Sequence, residues 1–247
     1  MKADPTAQIR LLDLQAVDRA LDQLAHRRRT LPEIAEIEKA TAVLGSLRDD
    51  VVRGRTAVED LDREIRRLET DVEQVRARKT RDQQRMDSGA VTHAKELESL
   101  QHEVASLSRR QSELEDTELE LMERREEAQA VLDAAVAALD EGQGAIDAAA
   151  ARRDAAFAEI DAAEATRRAE RDPAAAGIPA DLLALYEKIR ASSGGTGAAM
   201  LRARRCEGCR IELSGSDMSA LAAAPADEVV RCEECRRILV RTGESGL

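Results

Sequence analysis

The sequence predicts a mainly α-helical protein. Its main part is a long antiparallel coiled-coil hairpin with the shape of a bent rod, and a small β module follows at the C-terminal end. The 247-residue chain has only Phe157 and Tyr186 as aromatic residues, although 35% of its residues are charged. A compact domain of this length normally fills its core with many rings. Apolar residues instead recur three and four positions apart over long stretches, and the cysteines all lie near the C-terminus. This composition favours long helices packed along narrow seams.

Two heptad registers predict the arms of the hairpin. The first runs from Ile37 to Met86, and the second runs from Leu97 to Ala163. A repeat of about 3.5 residues held over this length indicates a left-handed coiled coil, because the apolar stripe of a straight helix would rotate away from its partner. Gly89 and Thr92 suit the end of one helix and the cap of the next, so we place an antiparallel turn near residues 87–92.

A break is predicted in the first arm near residues 30–33. Thr30 and Glu33 have the spacing of a capping box, and Pro32 fits the first turn of a helix. One helix therefore ends before this segment and another begins within it. The hairpin is expected to bend here.

The chain is expected to divide into three segments. Pro173 ends the long helix, because proline disrupts helix interiors. The predicted segments are the hairpin at 1–172, a linker with a short helix at 173–197, and the β module at 198–247. Tyr186 lies on the apolar side of the short helix, which spans 180–191, and is expected to anchor it between the hairpin and the module.

Two Cys-x-x-Cys pairs mark the C-terminal module. They are Cys206 with Cys209 and Cys232 with Cys235. Two such pairs supply four thiolates, which complete the tetrahedral coordination of one structural Zn²⁺. The alternatives are a redox pair, which lacks its βαβ context, and disulfides, which a reducing compartment disfavours. Strand-like stretches around the cysteines complete the pattern of a zinc ribbon; they are residues 198–202, 211–213, 229–231 and 238–241.

The order of these features resembles the bacterial C4-type zinc-ribbon family with an N-terminal coiled-coil hairpin domain. Its most specific part is the second Cys-x-x-Cys pair with the following Arg-Ile-Leu, and Lys95-Glu96 also resembles a family pattern. The resemblance implies a non-enzymatic protein that binds nucleic acid or serves as an adaptor for a transcription or secretion partner. Family knuckles often carry glycine after the second cysteine, whereas Arg210 and Arg236 stand there in this chain. The knuckles are therefore expected to be strained or differently turned.

Basic residues form two candidate surfaces for nucleic acid or a protein partner. Around the cysteines they are Arg202, Arg204, Arg205, Arg210, Arg231, Arg236, Arg237 and Arg241. Near the hairpin turn they are Arg76, Arg78, Lys79, Arg81 and Arg85, together with Lys95 and Glu96. Arginine and lysine contact phosphates, but near the turn we favour ion pairing across the hairpin to Glu96, Glu98 and Glu103. Around the cysteines the alternative is a solvated surface.

Several functional classes are excluded by composition. The net charge is −11, so the basic excess of most nucleic-acid-binding domains is absent. Two rings cannot form a base-stacking platform, and no phosphate loop or nucleophile elbow is present. Neither a membrane-spanning stretch nor a signal peptide is recognised, so a cytoplasmic protein is expected.

We therefore predict a non-enzymatic adaptor with a regulatory role that binds nucleic acid, either DNA or RNA. The alternative is a protein–protein scaffold or chaperone for a transcription or secretion partner. A protein partner is expected in both cases, and a small-molecule substrate in neither. The sequence leaves the oligomeric state open.

Overall fold

A computed structural model describes residues 1–247 and confirms the predicted fold class. The helices and strands are α1 (Pro5–Arg29), α2 (Pro32–Asp87), α3 (Ala94–Ala175), α4 (Ala180–Ser192), β1 (Ala198–Arg202), β2 (Arg205–Cys206), α5 (Gly215–Ala223), β3 (Val230–Arg231) and β4 (Ile238–Val240). The chain folds as two units. The hairpin unit comprises Ala35–Ala150, and the ribbon unit comprises Met1–Ile34 together with Ala151–Leu247.

In the hairpin unit, α2 and α3 pack side by side in opposite directions. Every position of the two predicted heptad seams is buried or half-buried, whereas the residues between them are mostly exposed. A Cβ added at Gly54 would lie 3.2 Å from the Cα atom of Leu132. The absence of a side chain at Gly54 therefore lets the two helix backbones approach closely, and the seam prediction is confirmed.

The turn between the arms spans residues 88–93. Gly89 has a φ of 69°, the left-handed conformation expected at the end of a helix. The first carbonyl acceptor of α3 belongs to His93, which receives the Leu97 N–H at 3.0 Å. His93 therefore occupies the N-cap position that the sequence had assigned to Thr92, one residue earlier.

At the break after α1, the predicted capping box does not form. The Thr30 hydroxyl donates back to the His26 carbonyl oxygen at 3.0 Å and so closes α1 rather than opening α2. The buried residue Leu31 occupies the N-cap position of α2, since its carbonyl oxygen accepts the Ile34 N–H at 3.1 Å. One carboxylate oxygen of Glu33 is buried without a hydrogen-bond partner.

Helix α3 continues past Pro173 to Ala175, contrary to the predicted end of the helix. Proline removes only one backbone donor, and the Ala176 N–H still reaches the Asp172 carbonyl oxygen at 3.0 Å. The chain then turns at Gly177, whose φ is 80°, and buries Ile178 before α4 begins. Proline near the last turn is therefore compatible with the helix.

The ribbon sheet has the order β2-β1-β4-β3. Strands β1 and β4 are parallel, and the two outer pairs are antiparallel. The expected strand at 211–213 reduces to one bridge between Arg205 and Glu212. Helix α5 was not predicted, although Ser214 and Asp217 form a complete capping box at its start.

The first helix contributes to the core of the ribbon unit. Leu11 and Leu14 of α1 are fully buried together with Leu182 and Tyr186 of α4 and with Ile238 of β4. The sequence interpretation had assigned α1 to the hairpin along its whole length. Arg27 and Arg28 of α1 do pair with Glu159 and Asp161 of α3, as that interpretation expects. The apolar face of α1, however, is covered by α4 and the sheet, because the small ribbon supplies too few apolar residues to enclose a core alone.

Polar residues on the same face of α1 complete this packing. The Gln15 amide oxygen accepts the backbone N–H groups of Gly197 and Ala198 at 2.6 and 3.2 Å. The buried Asp18 carboxylate accepts the Tyr186 hydroxyl at 2.7 Å and the Arg171 guanidinium at 2.8 Å. Tyr186 therefore joins α4 to α1. The two Gln15 bonds hold the start of β1 against α1.

Candidate metal centre and its surrounding arginines

The four cysteine side chains converge on one point in the ribbon. All four Sγ atoms lie within 4.8 Å of one another. The Cys206 and Cys235 sulfurs are 3.8 Å apart, and the Cys209 and Cys232 sulfurs are 3.9 Å apart. Sulfurs placed tetrahedrally about 2.3 Å from one Zn²⁺ are separated by about 3.8 Å. The residues therefore fit one structural zinc ion.

Each Cys-x-x-Cys pair forms the same kind of backbone turn. The Arg210 N–H donates to the Cys206 carbonyl oxygen at 2.7 Å, and the Arg236 N–H donates to the Cys232 carbonyl oxygen at 2.9 Å. Both arginines have a φ of 61°. The knuckles thus keep the left-handed conformation that suits glycine, and arginine adopts it at the ordinary cost of about 1–2 kcal/mol.

Burial controls the acidity of the thiols. It raises the pKa of the Cys206 thiol to about 12 and also raises the pKa of the Cys232 thiol. Burial acts in the same direction on Cys235, but hydrogen bonds from the backbone and side chain of Arg237 lower its pKa to about 7. A metal must therefore displace protons from the buried thiols. With four thiolates bound, no coordination position remains for water, which is the arrangement of structural zinc sites.

Two of the predicted binding arginines, Arg237 and Arg241, donate hydrogen bonds to backbone carbonyl oxygens of the ribbon unit. The half-buried Arg237 guanidinium donates to the carbonyl oxygens of Ser193, Thr196 and Gly208 at 2.8, 3.1 and 3.3 Å. Arg241 donates to five carbonyl oxygens of residues 221–228. These two side chains hold loops in place, and their donors are not free for a ligand.

The other six arginines surround the knuckles and are exposed. Arg202 pairs with Glu244 at 2.9 Å, and Arg236 pairs with Glu233 at 3.2 Å. Arg205 donates to the Arg210 carbonyl oxygen at 3.3 Å, and Arg231 donates to the Arg236 carbonyl oxygen at 2.8 Å. Arg204 and Arg210 have no carboxylate within ion-pairing distance. The structure therefore brings six of the eight candidates to the surface around one metal site.

The basic run near the turn lies in the hairpin unit and is largely paired. Arg76 pairs with Glu115 at 3.3 Å, Arg78 pairs with Glu103, and Arg85 pairs with Glu96 at 2.7 Å. Lys79 hydrogen-bonds to Ser108 and Gln111 at 3.3 and 3.2 Å. Arg81 and Lys95 have no ion-pair partner. Most of this run therefore stabilises the hairpin, in the way that the ion-pairing interpretation predicts.

Sequence reasoning missed the residues that support the metal centre from α1. Gln8, Leu11, Gln15 and Asp18 repeat at helical spacing, so two amides and a carboxylate share a face with buried leucines. Polar residues on an apolar helix face need partners, and that pattern is a recognisable signal of packing against exposed backbone groups. Ser245 was also missed: it is buried, and its hydroxyl donates to the Leu201 carbonyl oxygen at 3.1 Å.

A helical hairpin followed in the chain by a closed pair of Cys-x-x-Cys knuckles defines the class of coiled-coil zinc-ribbon proteins. Residues 14–194 match the CT398-like coiled coil hairpin domain, and residues 205–239 match the C4-type zinc ribbon domain. The chain belongs to the CT398-like coiled-coil hairpin family and carries its C4-type zinc ribbon. The resemblance seen in the residues is confirmed. None of the helices combines the length and the apolar character of a membrane span.

Related proteins align over nearly the whole chain. Uncharacterized protein Rv2229c of Mycobacterium tuberculosis (strain ATCC 25618 / H37Rv) is 43% identical over 241 residues, 98% of each chain. ML1638 of Mycobacterium leprae (strain TN) is 34% identical over 221 residues, 90% of this chain and 94% of that one. A solved structure from Mycobacterium smegmatis has a TM-score of 0.82 at 40% identity and covers 98% of this chain and 100% of its own. CT398 from Chlamydia trachomatis, at 19% identity and a TM-score of 0.65 over 96% and 98% of the two chains, shares the fold.

Proposed function

We propose that this protein is a non-enzymatic adaptor of the cytoplasm with a regulatory role. Its zinc ribbon binds nucleic acid, either DNA or RNA, and its hairpin binds a protein partner. The closed set of four thiolates supports a binding role over catalysis, because a catalytic zinc keeps one position for water or substrate.

The observation that carries the nucleic-acid proposal is the set of exposed arginines around the knuckles. Arg204 and Arg210 have no carboxylate partner, and Arg205 and Arg231 donate only to backbone carbonyl oxygens. A guanidinium matches the geometry of a phosphate with two parallel N–H donors. The net charge of −11 opposes long-range attraction of a polyanion. Binding is therefore local and depends strongly on salt.

Fluorescence anisotropy with labelled single-stranded RNA, single-stranded DNA and duplex DNA tests this proposal. Wild-type protein is expected to bind at low salt, and its affinity is expected to fall as salt rises, with a log–log slope of about −0.7 to −0.9 per phosphate contact. The double variant Arg204→Glu/Arg210→Glu should lose binding. Arg66→Glu/Arg67→Glu, which changes two exposed arginines of α2, is the matched control and should retain it. Absence of wild-type binding at low salt rejects the proposal.

A second role, as a protein scaffold, is supported by apolar residues outside the seam of the hairpin unit. Leu119 and Met122 lie one helical turn apart on α3 and are 59% and 45% exposed. Exposed apolar side chains that lie together often mark protein contacts. Cross-linking mass spectrometry in cells should identify partners at these positions. Leu119→Glu/Met122→Glu is expected to remove those cross-links, whereas the ribbon variant Arg204→Glu/Arg210→Glu retains them. Unchanged cross-links in the α3 variant reject this role.

A further inference from the structure

Left-handed backbone conformations identify an unusual set of arginines. Four residues other than glycine have positive φ: Ala203 at 44°, Arg204 at 65°, Arg210 at 61° and Arg236 at 61°. All four lie in the zinc ribbon, and three of them are arginine. Left-handed φ disfavours every residue with a Cβ, and arginine has no compensating local hydrogen bond of the kind that asparagine or aspartate makes. Strained residues of this kind concentrate at functional sites.

The backbone of each of these arginines has its own structural reason to be left-handed. The N–H groups of Arg210 and Arg236 close the two knuckles onto the carbonyl oxygens of Cys206 and Cys232. The Arg204 N–H donates to the Ser245 carbonyl oxygen at 3.0 Å, and this bond fixes the turn between β1 and β2. A glycine would make all three bonds without steric cost. Folding therefore accounts for the backbone conformation but not for the arginine side chains.

The side chains are not buried either. All three arginines are exposed, and Arg204 and Arg210 have no ion-pair partner. Arg236 pairs only with Glu233, in a bond whose side chains are 65% and 70% exposed, and such surface pairs add little stability. The neighbouring Arg237 shows the contrast, since its half-buried guanidinium binds three carbonyl oxygens and its φ is not in the left-handed region.

We propose that Arg204, Arg210 and Arg236 form one phosphate-binding surface of the ribbon, which holds the backbone of a nucleic acid without regard to base sequence. Arg210 and Arg236 each directly follow a ligand of the same metal site, and Arg204 lies two residues before Cys206. Backbone hydrogen bonds to Cys206, Cys232 and Ser245 hold these three positions. A guanidinium binds phosphate with a planar pair of donors. The ribbon at 198–247 contains no Phe, Tyr, Trp or His, so it has no aromatic platform with which to read bases. This inference rests on the proposed function.

An alternative explanation assigns the arginines to the metal itself. Four thiolates on one Zn²⁺ carry two negative charges, which nearby arginines would balance. The two explanations predict different results for substitution by glycine. Loss of a ligand-binding arginine relieves strain and keeps the zinc, whereas loss of a charge-balancing arginine weakens zinc binding.

The test uses the zinc-loaded, full-length variants Arg204→Gly, Arg210→Gly and Arg236→Gly. Each should unfold at the same temperature as wild type or higher, and should retain zinc equally against a chelator. Each should bind a mixed-sequence single-stranded DNA about fivefold more weakly at about 0.1 M salt, with a salt slope smaller by about 0.7, because one phosphate contact is lost. A second DNA of different base composition should show the same losses. Arg66→Ala, on the exposed surface of α2, should change none of these quantities.

Three other results would contradict the phosphate surface, and they differ in what they imply for nucleic-acid binding. If the glycine variants bind DNA as tightly as wild type, the phosphate surface is wrong while the proposed function stands. If they release zinc more readily or unfold at lower temperature, the arginines serve the metal centre and the inference is overturned. If wild type binds no nucleic acid at low salt, the proposed function fails and the inference fails with it.

Discussion

The hairpin unit and the zinc ribbon are stabilised in opposite ways. Along the hairpin seam, many small apolar side chains repeat one kind of contact, and the seam tolerates polar positions such as Lys79 and Gln111. In the ribbon, stability depends on four cysteines at one metal site and on a small buried cluster around them, and no contact is repeated elsewhere. Stability distributed over many similar contacts survives single substitutions. A small module assembled around one ion does not, because metal binding and folding are the same event.

Loss of one metal ligand should give the largest effect in this comparison. Cys232→Ser should release zinc and unfold the ribbon, because structural zinc binding contributes on the order of 10 kcal/mol in small domains. The hairpin should stay helical, since its seam contains no cysteine. Elemental analysis measures the zinc, and far-UV circular dichroism measures the helix. Ala222→Ser, which adds a hydroxyl at an exposed position of α5, should change neither quantity. Unchanged zinc content in Cys232→Ser contradicts the assignment.

Adding one methyl group should change the free energy of unfolding in opposite directions in the ribbon unit and the hairpin unit. A Cβ at Gly197 would lie 2.6 Å from both Cδ2 and the carbonyl oxygen of Tyr186, so Gly197→Ala should lower the free energy of unfolding by about 1–3 kcal/mol or more. The matched change Gly45→Ala in α2 meets no atom within 4 Å and should stabilise the helix by about 0.5–1 kcal/mol. Chemical denaturation of both variants measures the difference. Equal effects of the two changes would remove the distinction between ribbon and hairpin.

The Tyr186 hydroxyl should link the stability of the ribbon unit to pH. Burial, together with the hydrogen bond to Asp18, raises the pKa of Tyr186 above its ordinary value of 10.0. The phenol of the unfolded chain ionises near pH 10 while the folded phenol stays protonated, so this contribution to stability is full below pH 10 and falls as the pH rises beyond it. Tyr186→Phe should cost about 0.5–1.5 kcal/mol near neutral pH and should lose less stability above pH 10. Urea unfolding at both pH values measures this, and parallel losses in the two proteins would contradict it.

A polar seam residue offers the smallest effect, in the stabilising direction. One carboxylate oxygen of Asp82 is buried in the hairpin without a hydrogen-bond partner. Asp82→Leu should therefore raise the free energy of unfolding by about 1 kcal/mol or less, since an unsatisfied buried oxygen of a half-buried residue is removed and apolar area is added. Asp71→Leu changes an exposed residue of the same helix and should stay within about 0.5 kcal/mol of wild type. A thermal unfolding midpoint for Asp82→Leu at or below that of Asp71→Leu would contradict the seam geometry.

Local sequence spacing predicted the features that depend on near neighbours. Heptad repeats placed every seam position of α2 and α3, and the Cys-x-x-Cys spacing placed the metal ligands. The capping box at Thr30 was wrong, because the Thr30 hydroxyl bonds back to His26 and closes α1. The strand at 211–213 shortens to a single bridge beside residues 204–206. Helix α5 carried a readable signal in Ser214 and Asp217, whose spacing matches the capping box found there.

By itself, the sequence determined the hairpin seam and the four zinc ligands, because both depend on residue spacing along one short stretch of chain. Only the tertiary structure decided where α1 packs and which arginines are free. Arg237 reaches the Ser193 carbonyl oxygen, 44 residues away in sequence, and Gln15 binds Gly197 across 182 residues. Nothing in the Arg236-Arg237 pair distinguishes the exposed side chain from the bonded one. The acceptors that separate them lie on distant segments, which only folding brings near.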